Sequence, residues 1–592
     1  MVLIIHQLLI KNFMGDIQIK KSSKVYDAVI VGSGAGGGMA AYVLANAGLK
    51  VLMLEAGPFF DPVKHSQQLK FSYESPRRGA STKFRGFGDF DAAYGGWELD
   101  GEPYTKKEKT EFDWFRSRML GGRTNHWGRI SLRFGPKDFQ PDDGYSESWP
   151  ITYEEVKPYY DKIDVLLGIY GTKEGLENEP DGIFMPPPKL RLNEMFIKQG
   201  AEKAGVKVIP GRGSVVTKPL QNNKDRGVCF YCGQCNRSCK VYADFSASSC
   251  LVIPALKTGN LEVISNAMVR EVITDNKGLA TGVSYVNKDD MQEYQVSGKT
   301  VILGASSCET ARIMLNSKSQ AHPNGLANSS NVVGKYLQDS TGASLSGMLP
   351  QLLDRKRYNE DGLGSIHLLG PWVQDNKKLD FPRGYHIEFG GGMGMPSYGF
   401  GGDVPKLNGT LPGRDGKMKE AGGFGASLKD DYRRFYGTGV GMAGRGVGMA
   451  RIDNYCEIDP NVVDKYGIPV LRFHYKWNND EINQAKHMQQ TFQSIMHAMG
   501  AIVTSGERNA ENNWGLEAPG RIIHEVGTAR MGNDPKKSVL NKWCQAHDCK
   551  NLFVVDGANQ VQQSDKNATW TILALSMRTA EYILDQNKKQ NI

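Results

Sequence analysis

The chain lacks any run of eighteen apolar residues, so no segment reads as a membrane-spanning helix. It lacks a block of basic residues. Its net charge is only +8 over 592 residues, which makes no case for nucleic acid as a partner. No internal repeat and no coiled-coil heptad appears, which removes solenoids and long zippers. Dispersed, paired cysteines are missing too. There are nine, an odd number, and four crowd together, which argues against a secreted disulfide framework. The opening M-V-L-I-I-H-Q-L-L-I-K-N-F-M is apolar but too short to cross a bilayer. It has neither the basic start nor the small-residue cleavage site of a signal peptide. We read 1–23 as an N-terminal extension, with Met14 as an alternative start.

What is present begins with length. A chain of 592 residues is too long for one core, so two or more domains are expected. Glycine is abundant at 69 residues, about 12% against a usual ~7%. The four crowded cysteines are Cys229, Cys232, Cys235 and Cys239, in C-F-Y-C-G-Q-C-N-R-S-C. Thiols this close can point at one centre, as an iron–sulfur cluster requires. A zinc knot, a disulfide pair and bare thiols are the other readings. Lys240 rather than Pro follows, and there is no second run, so a two-cluster ferredoxin is excluded.

Residues 25–31, V-Y-D-A-V-I-V, read as a buried strand. Gly32, Gly34 and Gly37 then form G-x-G-x-x-G ahead of a helical stretch, and a second strand at 50–54 ends at Glu55. Here Gly32 permits the tight turn and Gly34 lets the backbone approach a pyrophosphate at the helix N-terminus. Glu55 is placed to accept from ribose hydroxyls. The motif alone separates neither FAD nor NAD. Residues 261–275, 280s and 300–315 read as three strands and a helix, so the dinucleotide module is assembled from distant segments with another module inserted. That layout is typical of large flavoproteins.

Four blocks carry a resemblance: the N-terminal fingerprint, G-G-R-T-N-H-W-G at 121–128, H-E-V-G-T-A-R-M-G at 524–532, and F-V-V-D-G-A-N with N-A-T-W-T-I-L-A-L-S at 553–576. With them the chain resembles the glucose–methanol–choline (GMC) oxidoreductases over ~24 to ~588. The resemblance implies an α/β flavoprotein: a Rossmann-like FAD-binding domain with an inserted α+β substrate domain on an antiparallel sheet. It places the FAD-binding domain at 24–135, 226–344 and 501–592, and the substrate-binding domain at 136–225 and 345–500. It also implies oxidation of an alcohol carbon by hydride transfer to flavin.

Such chemistry needs a group that takes the hydroxyl proton, and a histidine suits it. His524 stands where the family motif H-x-x-G-T carries its His, so it is the expected base. Asn567 stands where the family carries His or Asn, and can orient the substrate oxygen. It also reads as the N-cap of a helix over 568–585. Asp556, Gly557, Thr569 and Trp570 are expected at the flavin, with Val269 from the 261–275 segment.

Gly122, Asn125 and His126 belong to the second Gly-rich loop. T-N-H-W is similar to pyranose oxidases, where a His before Trp is bonded to the flavin. Covalent attachment, a plain flavin contact and a packed His all remain open at His126. The bacterial FAD sugar dehydrogenases with a 3Fe–4S cluster show the separations of Cys229, Cys235 and Cys239; Cys232 departs from them. Within that branch, T-N-H-W-G and the Gly-rich stretch 386–402 look most like glycoside 3-dehydrogenases. The expectation is therefore oxidation of a sugar or glycoside hydroxyl, at C3, with electrons leaving through the cluster. The alternatives are an oxygen-using oxidase with structural cysteines, or a gluconate or polyol dehydrogenase subunit. Expected partners are a small maturation subunit and a cytochrome or similar acceptor. Location is either periplasmic, by co-export with that subunit, or cytoplasmic.

For the substrate cleft, His367, Trp372, Tyr385, His386, Glu388 and Tyr398 are candidates. His386 and Glu388 alternate on a predicted strand and so share a face. Residues 180–190 read as a Pro-rich loop and 400–447 as Gly-rich loops. Residues 478–500 read as a helix with a Met and Phe core stripe.

Overall fold

The computed structural model describes residues 20–85, 94–356, 362–371, 379–393 and 410–592. Trp372, Tyr398, most of the N-terminal extension and part of the 386–402 stretch lie outside them.

Five strands run parallel in the order Leu552–Val554, Glu293–Leu303, Lys20–Val31, Val51–Leu54 and Leu261–Ile264. Their central residues, such as Val29, Ile30, Leu52, Met53, Ile302 and Phe553, are almost fully buried. That is why these segments read as unbroken apolar runs: a parallel sheet is covered on both faces. Ala267–Thr274 and Ala280–Asn287 extend it antiparallel, against the first half of Glu293–Leu303. The helix Ala35–Asn46 packs against the C-terminal helix Thr569–Lys588, and the Ser576 hydroxyl donates to the Gly36 carbonyl at 2.6 Å. Glycine is required at Gly36 because a Cβ there would lie 2.1 Å from the Val555 carbonyl oxygen.

A second sheet has six strands, all antiparallel: Ile502–Val503, Thr341–Met348, Gly439–Gly446, Tyr385–Gly391, Leu368–Gly370 and Ile209–Pro210. The helix Asn479–Ala498 lies on it. Asn478 caps that helix, accepting from the Asp480 amide while Glu481 bonds back to the Asn478 amide. Met488, Phe492 and Met496 are buried, as the stripe predicts. Each contributes about 1.5–3 kcal/mol by leaving water.

Several expectations are corrected. The segment 261–275 is two strands, because Asn266 takes a left-handed φ of 55° and turns the chain from one side of the sheet to the other. Four strands thus precede the helix Ser307–Asn316. Within 180–190, Phe184–Met185 pairs with Ile169–Tyr170. The described part of 400–447 is not all loop. It holds the helix Gly425–Phe435 and the strand Gly439–Gly446, which sits inside the second sheet. The sequence G-V-G-M-A-G-R-G hides a strand because its helix-facing glycines are packing choices. A Cβ at Gly444 would meet Met488 Sδ at 2.6 Å, and one at Gly446 would meet Gln484 Oε1 at 2.0 Å.

Candidate active site

Where the two sheets meet, a cavity of about 430 Å3 runs from the Gly32–Gly36 turn to His524 and Asn567. At the first end, Gly34 caps the helix Ala35–Asn46 without a side-chain bond, leaving the first amides of that helix without intrahelical partners. A Cβ on Gly34 would meet nothing within 4 Å. Glu55 accepts from the Ser33 hydroxyl, the Ser33 amide at 3.2 Å and the Gly57 amide at 2.9 Å, and burial pushes its carboxyl up. This is an open anion cradle with a neighbouring carboxylate, and it fits a dinucleotide.

The predicted residues divide. Gly32, Gly34, Glu55, Gly122, His126, Val269, Asp556, Gly557, Thr569, His524 and Asn567 all line the cavity. Gly37 does not line it: it lies under the turn, where a Cβ would come within 2.0 Å of the Gly32 carbonyl oxygen. Asn125 turns inward as well. It donates to the Leu120 carbonyl at 2.8 Å and accepts from the Ser248 hydroxyl at 2.6 Å, so it shapes the loop rather than the wall. Trp570 is a correction. It is buried away from the cavity, and its indole N–H donates to Asp164 at 2.8 Å. Asn567 is not a helix cap either, since the helix begins at Thr569 with Ala568 at the cap.

At the other end, His524 Nδ1 lies 2.9 Å from the Ser340 hydroxyl, and Nε2 lies 3.3 Å from the Asn567 amide nitrogen. An amide nitrogen only donates, so Nε2 is the acceptor and Nδ1 carries the hydrogen. Burial, reinforced by the Arg445 charge, lowers the imidazole to about 3, which keeps it neutral. The His524 amide donates to Asp339 Oδ1 at 2.8 Å, and Asp339 Oδ2 accepts from Gly520 at 2.8 Å and Ile522 at 3.3 Å. Burial, then the nearby Glu525, raises Asp339 to about 7. Asn567 Oδ1 is buried with no partner in the protein, an acceptor left for something in the cavity.

Of the cleft candidates, Glu388 alone lines the cavity among the described residues. Burial opposes its charge, but Arg445 and then His386 hold its carboxyl down at about 2. His386 sits behind it, with Nε2 at 3.3 Å from Glu388 Oε1. His367 bonds the Leu363 amide, and the Tyr385 hydroxyl bonds His487 and Thr491; both are structural. Sequence reasoning missed Arg445, Ser340 and Asp339. The only available signal for Arg445 was the alternation inside G-V-G-M-A-G-R-G.

His126 lines the cavity edge-on to Phe115, with ring centroids 5.6 Å apart, and burial lowers its imidazole to about 3. Behind its loop, Arg129 donates to the Asn125 and Trp127 carbonyls and pairs with Asp244 at 2.7 Å. The Asp244 carboxyl lies close to the Cys239 backbone. The cysteine run is therefore tied to the back of the His126 loop. Cys235 and Cys239 are buried, while Cys229 and Cys232 are partly exposed. The Gln68 amide reaches Cys232 Sγ at 3.1 Å and Cys239 Sγ at 3.9 Å. Burial lifts the thiol of Cys229 to about 12 and that of Cys235 well above its ordinary range. Among the described residues no three His, Cys, Asp or Glu side chains gather so as to hold a metal ion. The expected cluster thus gains no support from the geometry.

A parallel dinucleotide sheet feeding a cavity that ends in a neutral His–Asn pair defines a nucleotide-dependent oxidoreductase. Family comparison makes this specific. Residues 26–341 and 452–576 match the N-terminal and C-terminal GMC oxidoreductase profiles, and the chain belongs to that family. It is therefore an FAD-dependent oxidoreductase acting on CH–OH groups. The chain is 26% identical to the 2-methyl-1,2-propanediol dehydrogenase of Mycolicibacterium austroafricanum, across 94% of this chain and 95% of that one. It is 26% identical to the fructose dehydrogenase large subunit of Gluconobacter japonicus, across 95% and 98%. It is 25% identical to the gluconate 2-dehydrogenase flavoprotein of Pantoea cypripedii, across 97% and 96%. Pyridoxine 4-oxidase from Mesorbium loti shares the fold, with a TM-score of 0.60 at 16% identity over 94% of this chain and 99% of that one. No helix among the described residues is long and apolar enough to cross a membrane.

Proposed function

We propose that this enzyme oxidises a secondary hydroxyl of a sugar or glycoside, the 3-hydroxyl, to a ketone. The carrying observation is that one cavity joins the dinucleotide cradle to His524, Asn567 and Glu388. The Gly32–Gly36 turn and Glu55 would hold FAD, which when bound would supply a two-electron acceptor for the hydride of the carbinol carbon. His524 Nε2 receives the hydroxyl proton; its hydrogen on Nδ1, held by Ser340, fixes that tautomer. Burial keeps the imidazole neutral, so its lone pair is free when the hydroxyl arrives. Asn567 donates to the substrate oxygen and holds it beside Nε2, replacing the 3.3 Å contact with His524. The neutral diol and fructose in the names of two relatives support this substrate class.

The electron exit is a second part of the reading. The sequence separations of Cys229, Cys235 and Cys239 support an iron–sulfur cluster there that serves a partner carrier. No step above depends on it. The competing oxidase reading keeps the four cysteines as structural thiols, two of them buried. Pure enzyme should contain iron and acid-labile sulfide and reduce a dye acceptor with little peroxide. Peroxide in step with substrate loss and no iron would establish the oxidase instead. His524→Ala should retain FAD and slow flavin reduction by ~10²–10⁴-fold. NMR of products from a glycoside panel identifies the carbon; full activity in that variant, or no oxidised sugar, would sink the proposal.

A further inference from the structure

Glu388 lies on the strand Tyr385–Gly391 and Arg445 on its antiparallel neighbour Gly439–Gly446. Both line the cavity beside His524 and Asn567. Their charged ends are 3.4 Å apart, from Arg445 Nη2 to Glu388 Oε2. The other oxygen, Glu388 Oε1, meets the Asn567 amide nitrogen at 3.5 Å and His386 Nε2 at 3.3 Å. His386 Nδ1 in turn lies 3.9 Å from Asp565, which bonds Lys566 at 2.7 Å. The carboxylate is thus fixed from behind, and the guanidinium stands next to it across the strand pair.

We propose that the Glu388–Arg445 pair selects neutral, polyhydroxylated substrates over the corresponding acids and amines. This rests on the alcohol-oxidising reading above and deepens it. A hydroxyl donates to the carboxylate and accepts from the guanidinium, so a neutral polyol satisfies both groups at once. A substrate carboxylate can pair with Arg445 only by facing Glu388. A substrate ammonium can pair with Glu388 only by facing Arg445. Inside the cavity each like-charge contact is costly, so the balanced pair disfavours both. Removing one member should unbalance the site towards the opposite charge.

The experiment uses the FAD-loaded enzyme, Glu388→Gln and Arg445→Gln, with methyl glucoside, gluconate and glucosamine as substrates and FAD content checked by absorbance. The wild type should have its highest kcat/KM on methyl glucoside. Glu388→Gln, leaving Arg445 uncompensated, should raise gluconate relative to methyl glucoside by ~10-fold or more. Arg445→Gln should raise glucosamine relative to methyl glucoside by a similar factor. Should either variant lose its flavin, the other still reads the charge switch. Equal losses on all three substrates in both variants, or a wild-type preference for the acid or the amine, would overturn the inference. A wild type that oxidises none of the three would instead count against the proposed function.

Discussion

Asp339 offers the sharpest test of how His524 is held. Its two oxygens accept three backbone amides, from Gly520, Ile522 and His524, so one carboxylate shapes the whole loop that delivers the base. Asp339→Asn keeps the size but puts an NH2 where one oxygen accepted, so a donor faces a donor. A misplacement of ~1 Å at His524 costs about 10²-fold in rate. Flavin reduction measured by stopped flow should fall by one to two decades, with FAD still bound. Stability carries a second signature. The folded group titrates near 7 instead of 3.8. An acid whose folded value is raised contributes stability that is full below its unfolded value and is lost as pH rises through the folded one. Between pH 4 and 8 the wild type therefore loses up to about 4 kcal/mol at this site, at ~1.4 kcal/mol per pH unit. Asn cannot ionise and loses none. Neutral, buried His524 has the opposite slope below its unfolded value of 6.5, but both proteins share it, so the difference isolates Asp339. Thermal midpoints with saturating FAD should show the variant less stable at pH 5 and the gap closing by pH 8. A gap that does not change with pH, or an undiminished reduction rate, would refute the argument.

Two glycines of the turn should fail in different ways. Gly36→Ala puts a methyl 2.1 Å from the Val555 carbonyl oxygen, so the helix must move, costing about 1–3 kcal/mol in a lowered melting midpoint. Gly34→Ala adds a methyl in open space at a φ of −67°, so the midpoint should hold while the flavin-to-protein absorbance ratio falls.

The dinucleotide turn and the His524 block were legible because their chemistry is local. Gly32, Gly34 and Glu55 belong to one βαβ unit, and strand, turn and acid are spaced by the chain itself. The Glu388–Arg445 pair was half legible. Glu388 alternates with His386 on a strand with ordinary β-forming residues, whereas Arg445 sits among glycines that mimic a loop. Those glycines answer to Met488 and Gln484 on a helix some forty residues later in the chain, a contact no local pattern records. Asn567 read as a site residue and also as a cap, since Asn serves both. Only the start of the helix at Thr569 separates them. The cysteine spacing was visible, yet spacing does not say whether thiols converge.

The strand Gly439–Gly446 has two masters. Its even-numbered residues Val440, Met442, Gly444 and Gly446 are pressed against the core, and Arg445 belongs to the opposite, odd-numbered face. Change on the core side cannot stay there. A side chain added at Gly444 or Gly446 would lift the strand off the helix and carry Arg445 with it, altering the charge balance beside the base. Variation in substrate choice is thereby channelled to the odd positions, where residues can be exchanged without the scaffold taking notice.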